Sequence, residues 1–226
     1  MRNCKICQND FSQKLTLAFI VSFKPYEKQQ ICRNCREQFE VIQASTACEG
    51  CGRDQENQKC CPDCKKWRLI YPSYDFQNQA LFVYNDFMKE SIKNYKFNGD
   101  YQLRTVFQTA LKKKIETIYF DYLVVIPVDS ETMSSRGFNQ VCGLLTMKHS
   151  HFVKRNDTVK EKQSHKNRHQ RLELVQPFTL SSDCPDLTDK VVLVVDDIYT
   201  TGRTLFYAID LLASRAKCVK SITLAR

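Results

Sequence analysis

Hydrophobic and polar positions divide the chain into two parts that meet between about residues 67 and 82. Before this boundary the sequence is polar, dense in cysteine and without apolar periodicity. After it, short apolar runs alternate with segments whose apolar residues recur at helical spacing. Strands that alternate with helices predict a parallel sheet with crossover helices. We therefore predict a small module at residues 1–70 and an α/β domain at residues 78–226.

The α/β part contains short apolar runs typical of strands and longer segments whose apolar residues recur at helical spacing. The continuous β-branched run at residues 122–128 is typical of a strand buried on both faces of a parallel sheet. We predict strands at residues 81–84, 122–128, 191–195 and 218–224. We predict helices at residues 87–97, 103–118, 138–147 and 204–213. Residues 153–176 are polar and basic and show neither period.

The net charge, the lack of long apolar stretches and the first residues indicate what kind of protein this is. The 226 residues carry a formal net charge of +9, which favours polyanionic partners such as nucleic acid or phosphorylated metabolites, although a merely soluble basic protein is the alternative. No stretch approaches the roughly 20 apolar residues of a membrane-spanning helix. The first residues lack the apolar core of a signal peptide. We expect a cytoplasmic protein without a membrane span.

Nine of the twelve cysteines precede Trp67. In a protein without a signal peptide, binding of metal by thiolates explains such a cluster better than disulfides do. The nine include four C-x-x-C pairs, and two such pairs complete one tetrahedral zinc site. Sequential pairing predicts two structural zinc ions held by the following residues: Cys4, Cys7, Cys32 and Cys35 in one site, and Cys48, Cys51, Cys61 and Cys64 in the other.

The ninth cysteine leaves one ambiguity. Cys60 precedes Cys61 directly and is either a spare thiol or a competitor for the same ligand position. The alternative to metal binding is a set of unliganded thiols. About seventy residues this polar could not otherwise build a core, so we prefer the metal.

A phosphate-binding turn is predicted at residues 191–204, V-V-L-V-V-D-D-I-Y-T-T-G-R-T. A buried strand delivers two carboxylates, Asp196 and Asp197, which can accept hydrogen bonds from vicinal ribose hydroxyls. The T-T-G-R-T turn then offers backbone N–H groups, hydroxyls and a helix N-terminus to a phosphate. A ligand with a 5′-phosphate and free 2′- and 3′-hydroxyls satisfies both halves. An ordinary strand–turn–helix with acidic capping residues is the alternative.

This segment resembles the signature with which type I phosphoribosyltransferases bind phosphoribosyl pyrophosphate (PRPP). The whole chain resembles the ComF family, which is linked to DNA uptake in bacterial competence. I-P-V at residues 126–128 and R-G-F-N-Q at residues 136–140 are similar to one block of that family. Y-K-F-N-G at residues 95–99 is similar to another, and the paired C-x-x-C units match its zinc-ribbon region. The resemblance implies a type I phosphoribosyltransferase-like parallel sheet flanked by helices, behind a zinc-ribbon module.

The resemblance also assigns roles to residues. Asp196 and Asp197 would be the catalytic carboxylates, binding the ribose hydroxyls and magnesium-ordered water. The 5′-phosphate would be held by the turn residues Thr200, Thr201, Gly202, Arg203 and Thr204. The loop after Val128 would contact pyrophosphate. There Asp129 replaces the family's second proline, and we expect Asp129 and Glu131 to repel pyrophosphate unless Mg²⁺ lies between them.

A basic run at residues 154–171 contains seven Lys/Arg and two acidic residues. Three functions compete for it: a mobile hood over the reaction centre, a surface for single-stranded DNA and a plain solvated charge run. The residues predicted to contact pyrophosphate, or alternatively DNA, are Lys96, Arg136, Lys162, Gln163, Arg168 and Arg171. Trp67 at the junction could stack on bases, although interdomain packing is the interpretation we prefer.

We therefore predict a PRPP-binding protein of competence and DNA uptake that handles single-stranded DNA. Its expected ligands are PRPP with Mg²⁺ and two zinc ions. Its expected partners are single-stranded DNA and competence proteins such as a helicase. The alternative is an active phosphoribosyltransferase of nucleotide metabolism that transfers phosphoribosyl from PRPP to an unknown acceptor.

Overall fold

A computed structural model describes residues 2–13, 16–23, 26–57, 59–70, 77–97, 100–156 and 176–226. Within these ranges, a four-stranded parallel sheet forms the centre of the α/β part. Its strands are β3 (Asn78–Phe82), β4 (Tyr122–Val125), β7 (Val191–Ile198) and β8 (Cys218–Ala225). They lie in the order β3-β8-β7-β4. The predicted fold class is confirmed.

The remaining described elements flank this sheet or precede it. The short strands are β1 (Arg2–Asn3), β2 (Asp10–Phe11), β5 (Val153–Arg155) and β6 (Phe178–Leu180). The helices of the N-terminal part are α1 (Leu17–Val21), α2 (Arg33–Glu37) and α3 (Pro62–Ile70). Those of the α/β part are α4 (Asp86–Phe97), α5 (Arg104–Ile115), α6 (Ser130–Arg136), α7 (Gln140–Leu144) and α8 (Arg203–Ala213), with a 3-10 turn at Tyr101–Leu103.

Successive residues of β7 point to opposite faces of the sheet and therefore belong to two different hydrophobic clusters. Leu193 and Val195 pack with α4, α5 and α7. Val192 and Val194 pack with α8 and with the second set of paired cysteines. Because both faces are covered, β7 is apolar without alternation.

The N-terminal module packs against the β3 edge of the sheet. Val41 forms an antiparallel bridge with Phe82, and the backbone N–H of Asn78 donates to the Gly50 carbonyl at 2.7 Å. Contacts between the two parts therefore include backbone pairing as well as side-chain packing. No helix of the described ranges is both long and apolar enough to cross a bilayer.

Several element predictions were wrong in their limits, among them the strand predicted at residues 81–84, which spans Asn78–Phe82, and the helix predicted at residues 103–118, which spans Arg104–Ile115. The strand predicted at residues 122–128 ends at Val125, although the N–H of Ile126 still donates to the Val195 carbonyl of β7 at 3.1 Å. The helix predicted at residues 138–147 spans Gln140–Leu144. A separate helix, Ser130–Arg136, precedes it in a stretch without apolar periodicity. Strand β7 runs on through both aspartates, because β8 continues to pair with it as far as Ile198.

Candidate functional site

A cavity of about 300 Å³ opens at the carboxyl ends of β4 and β7. Ligand sites of open α/β sheets typically lie in this position, beyond the carboxyl ends of the strands. The residues that line the cavity come from most of the predicted motifs: Lys96, Ile126, Pro127, Val128, Asp129, Thr132, Arg136, Gln140, Arg155, Asp196, Asp197, Ile198, Thr200 and Thr204.

Both predicted carboxylates are buried at the floor of this cavity, with Asp196 8% and Asp197 5% exposed. The backbone N–H of Asp197 donates to Oδ1 of Asp196 at 2.9 Å, and that of Ile198 donates to Oδ1 of Asp197 at 2.7 Å. Burial, together with the neighbouring Asp197 charge, raises the pKa of Asp196 well above its ordinary value. The pair is thus held in a geometry that favours a positively charged or hydroxyl-bearing ligand.

Lys96 from α4 pairs with the carboxylate of Asp197 and is itself largely buried. The preceding residue, Tyr95, fixes this end of the helix, since its hydroxyl donates to the Gln140 carbonyl at 2.7 Å. The Y-K part of the Y-K-F-N-G motif therefore lies directly against the D-D motif. Asn98 and Gly99 lie outside the described residues.

The R-G-F-N-Q motif contributes Arg136 and Gln140 to the lining of the cavity. Gly137 adopts a left-handed φ of 76° that ends α6, and Asn139 caps α7 by accepting from the N–H of Val141 at 2.8 Å. Asn139 also donates from Nδ2 to the Ile126 carbonyl at 2.9 Å, which ties the motif to the end of β4. Arg136 donates to Oε1 of Gln140 at 3.1 Å, and both side chains line the cavity.

The T-T-G-R-T turn lies between β7 and α8, with Thr200 and Thr204 lining the cavity. Gly202 has φ +80°, and a Cβ there would clash with the ring and hydroxyl of Tyr199. Glycine is therefore required at this position on two independent grounds. Thr201 and Arg203 are exposed at the same turn.

Asp129 has a second role that the sequence interpretation did not include. Its side chain accepts a hydrogen bond of 2.7 Å from the N–H of Thr132 and caps the N-terminus of α6. It also lines the cavity. Glu131, in the first turn of this helix, is exposed and does not line the cavity.

The eight predicted metal ligands form two groups of four in the predicted sequential pairing. Sulfur–sulfur distances are 3.7 Å for Cys7–Cys32, 3.7 Å for Cys48–Cys64 and 3.6 Å for Cys51–Cys61. In a tetrahedral site with Zn–S bonds of about 2.3 Å the sulfur atoms lie about 3.8 Å from one another, so both groups fit a zinc-sized ion. The second group contains Cys61 and not Cys60.

The comparisons with known proteins agree with this arrangement. A family model described as phosphoribosyl transferase domain matches residues 109–226. The chain is 33% identical to competence protein ComFC of Bacillus subtilis (strain 168), over 99% of the chain and 94% of that protein. The chain belongs to the ComFC family. It is also 32% identical to competence protein ComFC of Streptococcus pneumoniae (strain ATCC BAA-255 / R6), over 99% of both chains.

In this ComFC-family protein two side chains connect the second cysteine group to the T-T-G-R-T turn. Arg226 donates to the Thr200 carbonyl at 2.8 Å, and its Nε lies 3.5 Å from Sγ of Cys51. Trp67 of α3 stacks on Phe206 with ring centroids 4.0 Å apart and donates from Nε1 to the Thr201 carbonyl at 2.8 Å. The packing interpretation of Trp67 is confirmed.

Four predicted contact residues of the ComFC-family chain belong to the basic run. Lys162, Gln163, Arg168 and Arg171 lie outside the described residues. Conversely, Arg155, Gln140 and Thr132 line the cavity although we did not assign them to the site. Arg155 belonged to the basic run and Gln140 to R-G-F-N-Q, so both could have been found from their motifs.

A larger cavity of about 690 Å³ lies elsewhere, between the N-terminal module and the β3 edge. Its walls are mainly apolar and include Ile42, Ala80 and Leu81. It contains none of the residues of the D-D or T-T-G-R-T motifs. The smaller, polar cavity is therefore the candidate functional site of this ComFC-family protein.

Proposed function

We propose that this protein binds PRPP together with Mg²⁺ in the 300 Å³ cavity, and that it does so in bacterial competence. One observation carries the proposal: the buried Asp196 and Asp197 lie in the same cavity as the turn residues Thr200 and Thr204. A ribose 5-phosphate with free hydroxyls has complementary groups for both ends of this arrangement. The competence role rests on the names of the two relatives.

The carboxylates would accept hydrogen bonds from the 2′- and 3′-hydroxyls of the ribose. The turn would hold the 5′-phosphate through its backbone N–H groups, the hydroxyls of Thr200 and Thr204 and the N-terminus of α8. The left-handed Gly202 gives the backbone the close approach that this contact needs.

The pyrophosphate would lie toward Arg136, Lys96 and Arg155, the cationic side chains among the described residues that line the cavity. Mg²⁺ is commonly bound by one or two carboxylates together with substrate phosphates, and the carboxylates of Asp129, Asp196 and Asp197 provide suitable oxygen donors. When bound, Mg²⁺ would neutralise part of the pyrophosphate charge. Because Lys96 already pairs with Asp197, ligand binding would compete with this ion pair.

The second cysteine group would contribute by holding the phosphate-binding turn. A structural zinc fixes its thiolate ligands, and Arg226 connects one of them, Cys51, to the carbonyl of Thr200. Trp67, from the helix that follows Cys61, holds the next carbonyl of the turn. We therefore expect zinc to support PRPP binding without contacting PRPP.

Two further activities are candidates. Handling of single-stranded DNA is favoured by the net charge of +9 and by the basic run at residues 154–171. Transfer of the phosphoribosyl group to an acceptor is favoured by the phosphoribosyl transferase match. In that reaction the C1–pyrophosphate bond breaks and a bond from C1 to the acceptor forms, with pyrophosphate as leaving group.

Isothermal titration of the full chain with PRPP tests the binding proposal. We expect saturable binding at one site when the buffer contains Mg²⁺. Binding should be much weaker in the same buffer without added divalent cations, and neither buffer contains EDTA. A titration that shows no binding of PRPP under either condition would reject PRPP as the ligand. Release of pyrophosphate during incubation with nucleobases and PRPP would separate transfer from binding alone.

A further inference from the structure

A third group of side chains with potential metal-ligand atoms is separate from both cysteine groups. Cys142, His149 and His151 each offer one ligand atom, and these atoms lie within 4.8 Å of one another. None of the three lines the PRPP cavity. In the sequence M-K-H-S-H at residues 147–151 one residue separates the two histidines, a spacing that matches no zinc ribbon.

The fold explains why two histidines so spaced lie side by side. Ser150 forms a parallel bridge with Val124 of β4, and its N–H donates to the Leu123 carbonyl at 2.7 Å. The segment is thus extended at this point, where residues i and i+2 share a face. The rings of His149 and His151 are accordingly 4.9 Å apart. Cys142 reaches them from helix α7.

The hydrogen bonding of His149 leaves one ring nitrogen available as a ligand. Its Nδ1 lies 2.9 Å from the Met147 carbonyl, which can only accept a hydrogen bond. Nδ1 therefore carries the proton, and the lone pair of the neutral ring is on Nε2. Metal-binding histidines typically make such an outer hydrogen bond to a carboxylate or a backbone carbonyl, which orients the ring.

We propose that Cys142, His149 and His151 bind one divalent transition-metal ion of the Zn²⁺ class. One thiolate and two imidazoles suit a borderline-soft ion and disfavour Mg²⁺ and Ca²⁺, which prefer oxygen. Among the described residues no fourth Cys, His, Asp or Glu joins the group. The fourth position is therefore open, and His151 is exposed to solvent, so an exchangeable ligand completes the site.

Such an ion would join two segments that each carry a cavity residue. Cys142 follows Gln140 by two positions on α7, and His151 precedes Arg155 by four. Gln140 and Arg155 both line the PRPP cavity. The site would tie these segments together without occupying the cavity, so metal and PRPP can bind at the same time.

Co²⁺ titration of the full chain that carries two zinc ions, one in each cysteine group, tests the proposal. Co²⁺ bound to a thiolate gives a near-ultraviolet charge-transfer band, which binding to carboxylates, phosphates or histidine alone does not give. We expect one equivalent of Co²⁺ to produce this band in the wild-type protein. Cys142→Ser should abolish it, while Cys218→Ser and Cys60→Ser should leave it unchanged.

A double variant, His149→Gln with His151→Gln, keeps the Cys142 thiol and provides a second test in case Cys142→Ser misfolds. It should weaken Co²⁺ binding by more than the roughly 10–100-fold that loss of an outer hydrogen-bonding partner costs. Replacing both histidines of the basic run, His165→Gln with His169→Gln, should have no effect. A wild-type protein without the band, or a band that survives either site variant, would overturn the proposal.

Discussion

Arg226 donates a hydrogen bond of 2.8 Å to the carbonyl oxygen of Thr200. The same guanidinium contacts Cys51 Sγ and lies 4.5 Å over the ring of Tyr199. Its other terminal nitrogen pairs with Asp63 of the N-terminal module at 3.1 Å. One side chain therefore joins the second cysteine group to the turn that we propose holds the 5′-phosphate.

Replacing Arg226 should destabilise the protein and loosen this turn. Hydrogen bonds to charged groups contribute about 1.5–3 kcal/mol each, and in a chain of this size a loss of that order lowers Tm by roughly 3–12 °C. Even the conservative variant Arg226→Lys should have a lower Tm and PRPP affinity than the wild type, since one ammonium group cannot make the several contacts of the planar guanidinium. Thermal unfolding and PRPP titration measure both effects. Arg215→Lys, an exposed change, is the control, and an Arg226→Lys variant with wild-type Tm and affinity would contradict the role.

Metal content should distinguish Cys60 from Cys61. Protein purified without added metal should retain two zinc ions, and strong chelation should unfold the N-terminal module, since metal binding there is coupled to folding. Cys61→Ser should lose one ion, while Cys60→Ser should keep both, because Cys60 lies outside the group of four. Elemental analysis and circular dichroism provide the measurements. Well-folded protein without zinc would refute the assignment.

Replacing Asp196 with asparagine should raise the stability of the folded protein at pH 7, whereas replacing Asp197 should lower it. The native pKa of Asp196 is raised above its unfolded value of about 3.9 by burial and by the Asp197 charge, so stability falls as the pH rises above about 4. Asp196→Asn removes this cost and should raise Tm at pH 7, with the gain vanishing below about pH 4. Asp197→Asn leaves Lys96 without its buried partner, a change that typically costs about 3–5 kcal/mol. Thermal scans from pH 4 to 8 check both, and a lower Tm for Asp196→Asn at pH 7 would count against this explanation.

The basic run separates DNA handling from a catalytic hood. If it binds DNA, neutralising Lys162, Lys166, Arg168 and Arg171 should weaken binding of single strands of any sequence and flatten the salt dependence. Each lost phosphate contact removes about 0.7 from the log–log slope for single strands. PRPP affinity should hardly change, because the proposed phosphate contacts lie at Thr200–Thr204.

The opposite pattern would support the hood. DNA binding of the quadruple variant would then equal that of the wild type, while pyrophosphate-dependent steps and protection of the run by PRPP would be lost. Fluorescence anisotropy and limited proteolysis on this one variant distinguish the two functions. Unchanged results in both assays would leave the run as a solvated surface.

Local patterns were sufficient to predict much of this molecule. The apolar run before Asp196 predicted a buried strand, and the C-x-x-C spacing predicted both cysteine groups, because each depends on residues close in the sequence. Helix α6 was missed since its residues carry no apolar stripe. It could have been inferred from capping, with Asp129 at its start and Gly137 at its end.

The contacts between the two parts of the chain could not be predicted in this way. Arg226 and Cys51 are 175 positions apart, and Trp67 and Thr201 are 134 apart. No spacing rule relates residues at such separations, because tertiary packing alone brings them together. The connection between the cysteine group and the turn is therefore a result of the structure.

The most direct test of the central claim is the affinity for PRPP of Asp196→Asn/Asp197→Asn, measured by titration in Mg²⁺ beside the wild type. Each charge-assisted bond contributes about 1.5–3 kcal/mol, so loss of both should weaken binding at least about a hundredfold. Asp186→Asn, an exposed position outside the cavity, should bind as the wild type does. A folded double variant with unchanged affinity would contradict the assignment of this cavity to PRPP.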